Sequence, residues 1–282
     1  SSSSVLENIH LNSFIEMHKS LHDYSKPYPH SFLYPLINDS IMRTIYNEAK
    51  NNMTATFKET DLFKLFQTCD LANLSETDEL AIRMPELMKL RTTLYSREFR
   101  DFIMAITGCN ELTDRVDCAA NVYSNSCHLM CHDDVIGTRC VSYIIYLTDP
   151  DEEWLDTDGG ALELYPLEQT ATIYQDELQP LHGIPACVPE KRILPIFNSM
   201  ALFIVQPGRS YHAVQEVYCS DKPRLSIQGW YHAATPPVGS NFASLQQILS
   251  KDELDTIPAV SINPEIYSSL QTQDVIISNR NR

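Results

Sequence analysis

Nowhere in its 282 residues does this chain run apolar for the ~20 residues that a membrane-crossing helix needs, so a helical membrane span is excluded. The opening stretch, Ser1 to Ser20, is polar and lacks the basic-then-apolar order of a secretory leader. Positive charge is scarce as well: 21 Lys and Arg stand against 37 Asp and Glu, a net charge of −16. That balance argues against a surface built to grip nucleic-acid phosphates. It suits a basic partner such as a ribosomal or chromatin protein, although acidity also serves solubility alone. Eight cysteines (Cys69, Cys109, Cys118, Cys127, Cys131, Cys140, Cys187, Cys219) are scattered; Cys127 and Cys131, with His128 and His132, resemble a Cys/His metal motif, but no second pair is suitably placed and haem attachment needs one residue fewer between the cysteines. With no leader, they read as reduced thiols of a cytosolic or nuclear protein, most of them small core residues. No internal repeat is present. What is there, 43% hydrophobic and 21% charged residues at a mean hydropathy of −0.23, describes a soluble globular chain with room for a substantial core.

The order of elements changes near residue 115. Residues 1–110 read mainly as helix. Asn38, Asp39 and Ser40 can cap a segment from Ile41 to about Asn51, and Ser96 can cap another from Arg97 to Thr107 with Arg97 and Arg100 on its solvent face. Pro27, Pro29 and Pro35 mark an extended crossing. From there on, short β-branched or aromatic segments alternate with turns: Cys118–Ser124, Arg139–Leu147, Ala161–Tyr165, Met200–Val205 and Arg224–Tyr231. The expected fold is α+β, a double-stranded β-helix (jelly-roll) core flanked by N-terminal helices. Residues 1–23 are read as a helical extension, 24–235 as the catalytic domain, and 236–282 as a linker with a peripheral segment.

The chemistry concentrates in the β-rich part. On an extended backbone alternate side chains share a face, so His132 and Asp134 point together while Asp133 points away. His212 can complete a set of two imidazoles and one carboxylate, which leaves open positions on Fe(II) for a bidentate cosubstrate and O2. Arg224 follows twelve residues later and offers a planar fork to a distal carboxylate, the need of 2-oxoglutarate. Ser226 shares its face, and Tyr146 can present a phenol to the same carboxylate. Neither HxD nor a lone His is specific; the ordered set with Arg224 is.

The ordered set resembles the 2-oxoglutarate- and Fe(II)-dependent oxygenases, and within them the eukaryotic ribosomal-protein prolyl 3-hydroxylases, the fungal members most of all. The likeness runs from about Glu59 to His232 and is densest at Glu59–Leu74, His132–Arg139, Tyr146–Pro150 and Arg224–His232. It implies iron ligands at His132, Asp134 and His212, 2-oxoglutarate contacts at Arg224 and Tyr146, and an active-site tyrosine at Tyr123. It further implies C3 hydroxylation of a proline in a small-subunit ribosomal protein and ascorbate as reductant. The fungal likeness adds oxygen-linked roles in translation termination and transcription-factor control, with a nuclear adaptor protein as partner. Cytoplasm and nucleus are the implied compartments, and a homodimer is compatible with them; no direct contact with nucleic acid or membrane is implied. Family members carry a second, degenerate barrel, so this chain reads as their catalytic portion.

Other features weigh less. His128 is read as a structural or supporting group, Trp230 as core behind the cosubstrate or else an aromatic at the mouth able to hold a proline, and Asp158-Gly159-Gly160 as a hairpin turn whose glycines also allow substrate backbone to approach closely. Glu59–Leu74 is either a substrate-covering loop or a packed strand element. Rival readings are a cupin-like metal enzyme without 2-oxoglutarate, a zinc hydrolase, and an oxygen-responsive adaptor scaffold; Arg224 argues against the first two.

Overall fold

The computed structural model describes residues 3–168, 183–240 and 259–263. The chain opens with helices α1 (Val5–Asn8) and α2 (Asn12–Tyr24), strand β1 (His30–Leu33) and helix α3 (Asp39–Asn52). A hairpin, β2 (Thr54–Glu59) and β3 (Phe63–Asp70), leads to helices α4 (Glu79–Arg83), α5 (Pro85–Tyr95) and α6 (Arg97–Thr107). Strands β4 (Leu112–Tyr123), β5 (His128–His132), β6 (Arg139–Tyr146) and β7 (Leu162–Leu164) follow. The last are β8 (Lys191–Ile193), β9 (Ser199–Ile204), β10 (His212–Val214), β11 (Arg224–Ala233) and β12 (Val260–Ser261). The expected linker and peripheral segment fall, for 241–258 and 264–282, outside the described residues.

Both capped helices form where the sequence places them. Asn38 accepts the Ser40 N–H at 2.9 Å, and Ser96 accepts the Phe99 N–H at 3.2 Å, satisfying donors that a helix start leaves free. The apolar face of α6 buries Phe99, Phe102, Ile103 and Ile106. Arg100 departs from the expected solvent face: its guanidinium turns inward and donates to the Leu112 carbonyl, tying α6 to the start of β4. The N-terminal region is also less helical than expected. Thr54–Phe57 and Phe63–Thr68 set β-branched and aromatic residues among polar ones, and both become strands because β4 and β5 offer β3 edges to pair with and β3 in turn offers one to β2.

All strands pair antiparallel, in the order β1-β9-β6-β11-β4-β3-β5-β10-β7-β8, with β2 on β3 and β12 on β2. The sheet curls strongly, giving the jelly-roll core with helices packed against it. Strand β6 shows why its sequence is almost continuously apolar. Val141, Tyr143 and Ile145 join the helix-side core, while Ile144 and Tyr146 join a second cluster with Leu162, Leu164 and Phe203 inside the curl. Burial on both faces removes the need for polar alternation. Each such side chain stabilises the fold by roughly 1.5–3 kcal/mol relative to exposure.

Candidate active site

Strand β5 ends at His132 and β10 begins at His212, and the two residues are direct partners across the ladder. Their rings lie 4.2 Å apart, centroid to centroid. Each Nδ1 sits 2.8 Å from a backbone carbonyl, of Met130 for His132 and of Ser210 for His212. Only an N–H satisfies a carbonyl, so both rings turn Nε2 inward. There the Asp134 carboxylate stands 3.1 Å from Nε2 of His132 and 3.3 Å from Nε2 of His212. Burial works against charge on this carboxyl, yet the His212 and His132 imidazoles hold it well below the usual carboxylate range. Burial likewise opposes a charged His132, and Asp134 raises it nonetheless. Two imidazole nitrogens and a carboxylate, with ligand atoms all within 4.8 Å of one another, fit a divalent iron site with an open face.

The route to this convergence differs from the expected strand alternation. Asp134 lies beyond β5 with φ +63°, in the left-handed region, so a turn aims its side chain. Register also shifts along β5: His132 faces His212, whereas Leu129 faces Val214. That bulge puts Leu129 rather than Met130 beside His132 on the cavity wall. His128 faces elsewhere, its ring against the Ser126 carbonyl, in keeping with a supporting role. Asp133 points away from Asp134 as expected, but it is buried: its carboxylate accepts the Gly208 and Val135 N–H groups and its carbonyl accepts the Ser210 hydroxyl. It fastens the end of β5 to the loop that delivers His212.

Two further residues reach Asp134 from across the curl. Ser142 of β6 donates to Oδ2 at 2.9 Å and the Trp230 indole N–H of β11 donates to the same oxygen at 3.0 Å. Trp230 therefore lies not in the core but on the wall of a cavity of about 640 Å³ that also holds His132, Asp134 and His212. The Arg139 guanidinium stacks 3.3 Å from the centre of its ring. No spacing in the sequence signals Ser142 or the Trp230–Asp134 bond, because both are contacts between strands far apart in the chain. The β2–β3 hairpin supplies another wall of this cavity through Lys58, Leu65 and Gln67, so Glu59–Leu74 is a packed strand element that faces the site.

Arg224 opens β11 and is fully buried. Directly opposite on β4 is Tyr123, and Ser226 lies opposite Tyr146 on β6. The guanidinium sits 4.9 Å from the Tyr123 ring centre and 5.1 Å from that of Tyr146. Its Nε donates to the Gly160 carbonyl at 2.7 Å and Nη1 to Ser226 at 3.4 Å, but Nη2 and both phenol oxygens have no protein partner. Burial pushes the Tyr123 phenol up to about 12 against the pull of Arg224, and raises Tyr146 in the same way. A buried guanidinium with an unfilled N–H and two unfilled hydroxyls fits the carboxylate end of a dicarboxylate. Gly159 and Gly160, expected as a hairpin turn, serve this pocket instead. Both have positive φ, and a Cβ on Gly160 would stand 3.0 Å from the Arg224 side chain. Among the described cysteines Cys118, Cys127 and Cys140 are buried in apolar clusters and the half-buried Cys109 and Cys219 pack against them, while Cys131 is half-buried and Cys187 exposed.

A family model of the 2OG-Fe(II) oxygenase superfamily matches residues 118–232, from within β4 to within β11. The chain is 48% identical over 207 residues to the prolyl 3,4-dihydroxylase OGFOD1 of Ostreococcus tauri, covering 73% of this chain and 38% of that protein. It is 31% identical over 252 residues to the prolyl 3-hydroxylase OGFOD1 of Xenopus laevis, covering 88% of this chain and 44% of that protein. It thus spans less than half the length of either relative. These relatives are algal and animal and leave the fungal likeness an expectation. A solved prolyl 4-hydroxylase from Phytophthora capsici shares the fold, with TM-score 0.52 and 18% identity over 83% of this chain and 67% of that one. Matched across the strands that carry the two imidazoles, the carboxylate and Arg224, this chain belongs to the 2-oxoglutarate- and Fe(II)-dependent oxygenase superfamily, whose chemistry runs on Fe(II), 2-oxoglutarate and O2.

Proposed function

We propose that this chain is the catalytic barrel of a prolyl hydroxylase acting at C3 of a prolyl residue in a small-subunit ribosomal protein. The observation that carries the cosubstrate is the buried Arg224, with its unfilled N–H between the unfilled hydroxyls of Tyr123 and Tyr146. The prolyl target is supported by the likeness to the algal and frog prolyl hydroxylases, and a basic partner by the charge of −16. Ascorbate as reductant, residence in cytoplasm and nucleus, oxygen-linked regulation, adaptor binding and a homodimer belong to the same proposal.

His132, Asp134 and His212 would hold the iron, and Arg224, with Ser226, Tyr123 and Tyr146, the distal carboxylate of 2-oxoglutarate. When bound, these groups and O2 supply the oxidation that replaces a ring C–H by C–OH while 2-oxoglutarate leaves as succinate and CO2. The protein's own part is positional. Two backbone carbonyls fix the imidazole tautomers, Ser142 and Trp230 fix the carboxylate, and the curled sheet keeps water from the buried guanidinium. The test pairs succinate formation with mass spectrometry of a proline-containing ribosomal peptide. Wild-type protein adds one oxygen per succinate, and Asp134→Ala yields neither. Full coupled turnover by Asp134→Ala would overturn the assignment.

A further inference from the structure

We propose that Asn121 donates a hydrogen bond to the bound dicarboxylate, and that Gln67 and Lys58 of the β2–β3 hairpin fix which way its amide points. The inference rests on the 2-oxoglutarate reading above and adds a residue of β4 and two of the hairpin to it.

An amide side chain is nearly symmetric in shape but not in chemistry: its oxygen accepts and its nitrogen donates. Here a chain of three residues settles the choice. Lys58 has only donors, and its Nζ donates to Gln67 Oε1 at 2.8 Å. Gln67 must therefore present its NH2 to Asn121, and Nε2 donates to Asn121 Oδ1 at 3.1 Å. With its oxygen so engaged, Asn121 turns Nδ2 the other way. That nitrogen is buried, the residue is 1% exposed, and the donor makes no hydrogen bond of ordinary length within the protein, though the Tyr123 phenol lies close enough to feel it. Leaving such a group unfilled is costly, so the fold keeps it for a reason.

Its position says what the reason is. Asn121 faces Ser226 across the ladder, and Tyr123, two residues on, faces Arg224. Side chains two apart share a face, and directly opposed residues of an antiparallel pair share it too. Asn121 thus lies one step along the sheet from the guanidinium, beside the Tyr123 phenol, and it lines the cavity shared with His132, Asp134 and His212. A dicarboxylate stretched between the triad and Arg224 passes this donor. Gln67 and Lys58 also line the cavity, so the hairpin wall sets the polarity of the cosubstrate site from outside it.

The experiment measures 2-oxoglutarate binding to Mn(II)-loaded protein by calorimetry, without peptide and without turnover. Asn121→Leu should weaken 2-oxoglutarate about tenfold, the loss of one hydrogen bond to a charged group, while Mn(II) affinity holds. Gln67→Glu still accepts from Lys58 but cannot donate to Asn121. It should weaken binding severalfold without touching the ligand. In the Asn121→Leu background the same Gln67→Glu change should add nothing, since its effect passes through the Asn121 amide. Should Asn121→Leu not fold, Gln67→Met, which removes the donor at the half-buried hairpin, gives the same reading. Unchanged 2-oxoglutarate affinity in these variants, or a rise confined to the peptide KM, overturns this inference alone. Wild-type protein that takes Mn(II) but not 2-oxoglutarate overturns it together with the proposed function.

Discussion

At Asp134 one carboxylate faces two imidazole nitrogens and receives a hydroxyl and an indole N–H on a single oxygen. The indole bond has a specific consequence. Trp230→Phe keeps the aromatic surface for Arg139 but removes the N–H, so metal affinity or turnover should fall about 10–100-fold, the usual loss when a supporting partner of a ligand is removed. A metal titration followed by coupled succinate assay checks this, and unaltered metal affinity and rate would show the bond to be incidental. Arg224→Lys keeps the charge but loses the fork. Because Nε alone serves Gly160, the lysine cannot fill both that carbonyl and a carboxylate, and the 2-oxoglutarate KM should rise at least tenfold (about 1.4 kcal/mol) with kcat less affected.

Elements carry the next layer. The loop from Asp156 to Gly160 packs its backbone against Glu216 and the Arg224 stem, and Gly160 sits at φ +69°. Gly160→Ala adds both left-handed strain and a Cβ crowding Arg224, Val217 and Trp154; it should cost about 1–3 kcal/mol of stability and weaken 2-oxoglutarate binding, read by denaturant unfolding and calorimetry. Helix α2 docks on β1 through His22, whose Nδ1 meets the Ser31 hydroxyl at 2.9 Å while Nε2 is buried without a partner. Burial lowers this imidazole to about 4. Between that value and the ordinary value near 6.5, the unfolded chain binds the proton and the folded chain does not, so stability rises with pH across the window. His18 and His30, also lowered by burial, act with the same sign. Stability should fall by on the order of 1–2 kcal/mol from pH 7 to pH 5. His22→Leu should flatten that slope in part, and an equal slope in the variant would remove His22 as its source.

At the scale of the molecule, the site and the main core are separate. The large apolar cluster joins α3, α5 and α6 to one side of the sheet, whereas the triad lies inside the curl. A ligand for the triad should therefore stabilise a fold that already stands without it. Mn(II) with 2-oxoglutarate at a hundredfold excess over Kd should add roughly 2.7 kcal/mol, or about 5–10 °C in Tm. EDTA should reverse the gain without unfolding the chain. The halves of the site also differ in how far the sequence reveals them. Arg224 and Ser226 lie on one strand whose alternation survives folding, so their common face was readable. Asp134 was readable as a partner of His132, but through the wrong geometry, since a left-handed turn and a bulge replace the assumed strand. Trp230 was readable as core or as an aromatic at the mouth, and the sequence could not choose between them because its partner, Asp134, is 96 residues away.

Local pattern alone determined the capped helices α3 and α6, the strands β6, β9 and β11, and the residue types able to hold a metal and a dicarboxylate. Capping, periodicity and side-chain chemistry act within a few residues, so the sequence carries them directly. Tertiary structure decided the rest: that β5 and β10 are neighbours, that Ser142 and Trp230 close on Asp134, that the β2–β3 hairpin walls the cavity, and that the Asn121 donor is left unfilled. Each of these depends on strand pairing over long separations and on the curl of the sheet, which no short window of sequence encodes.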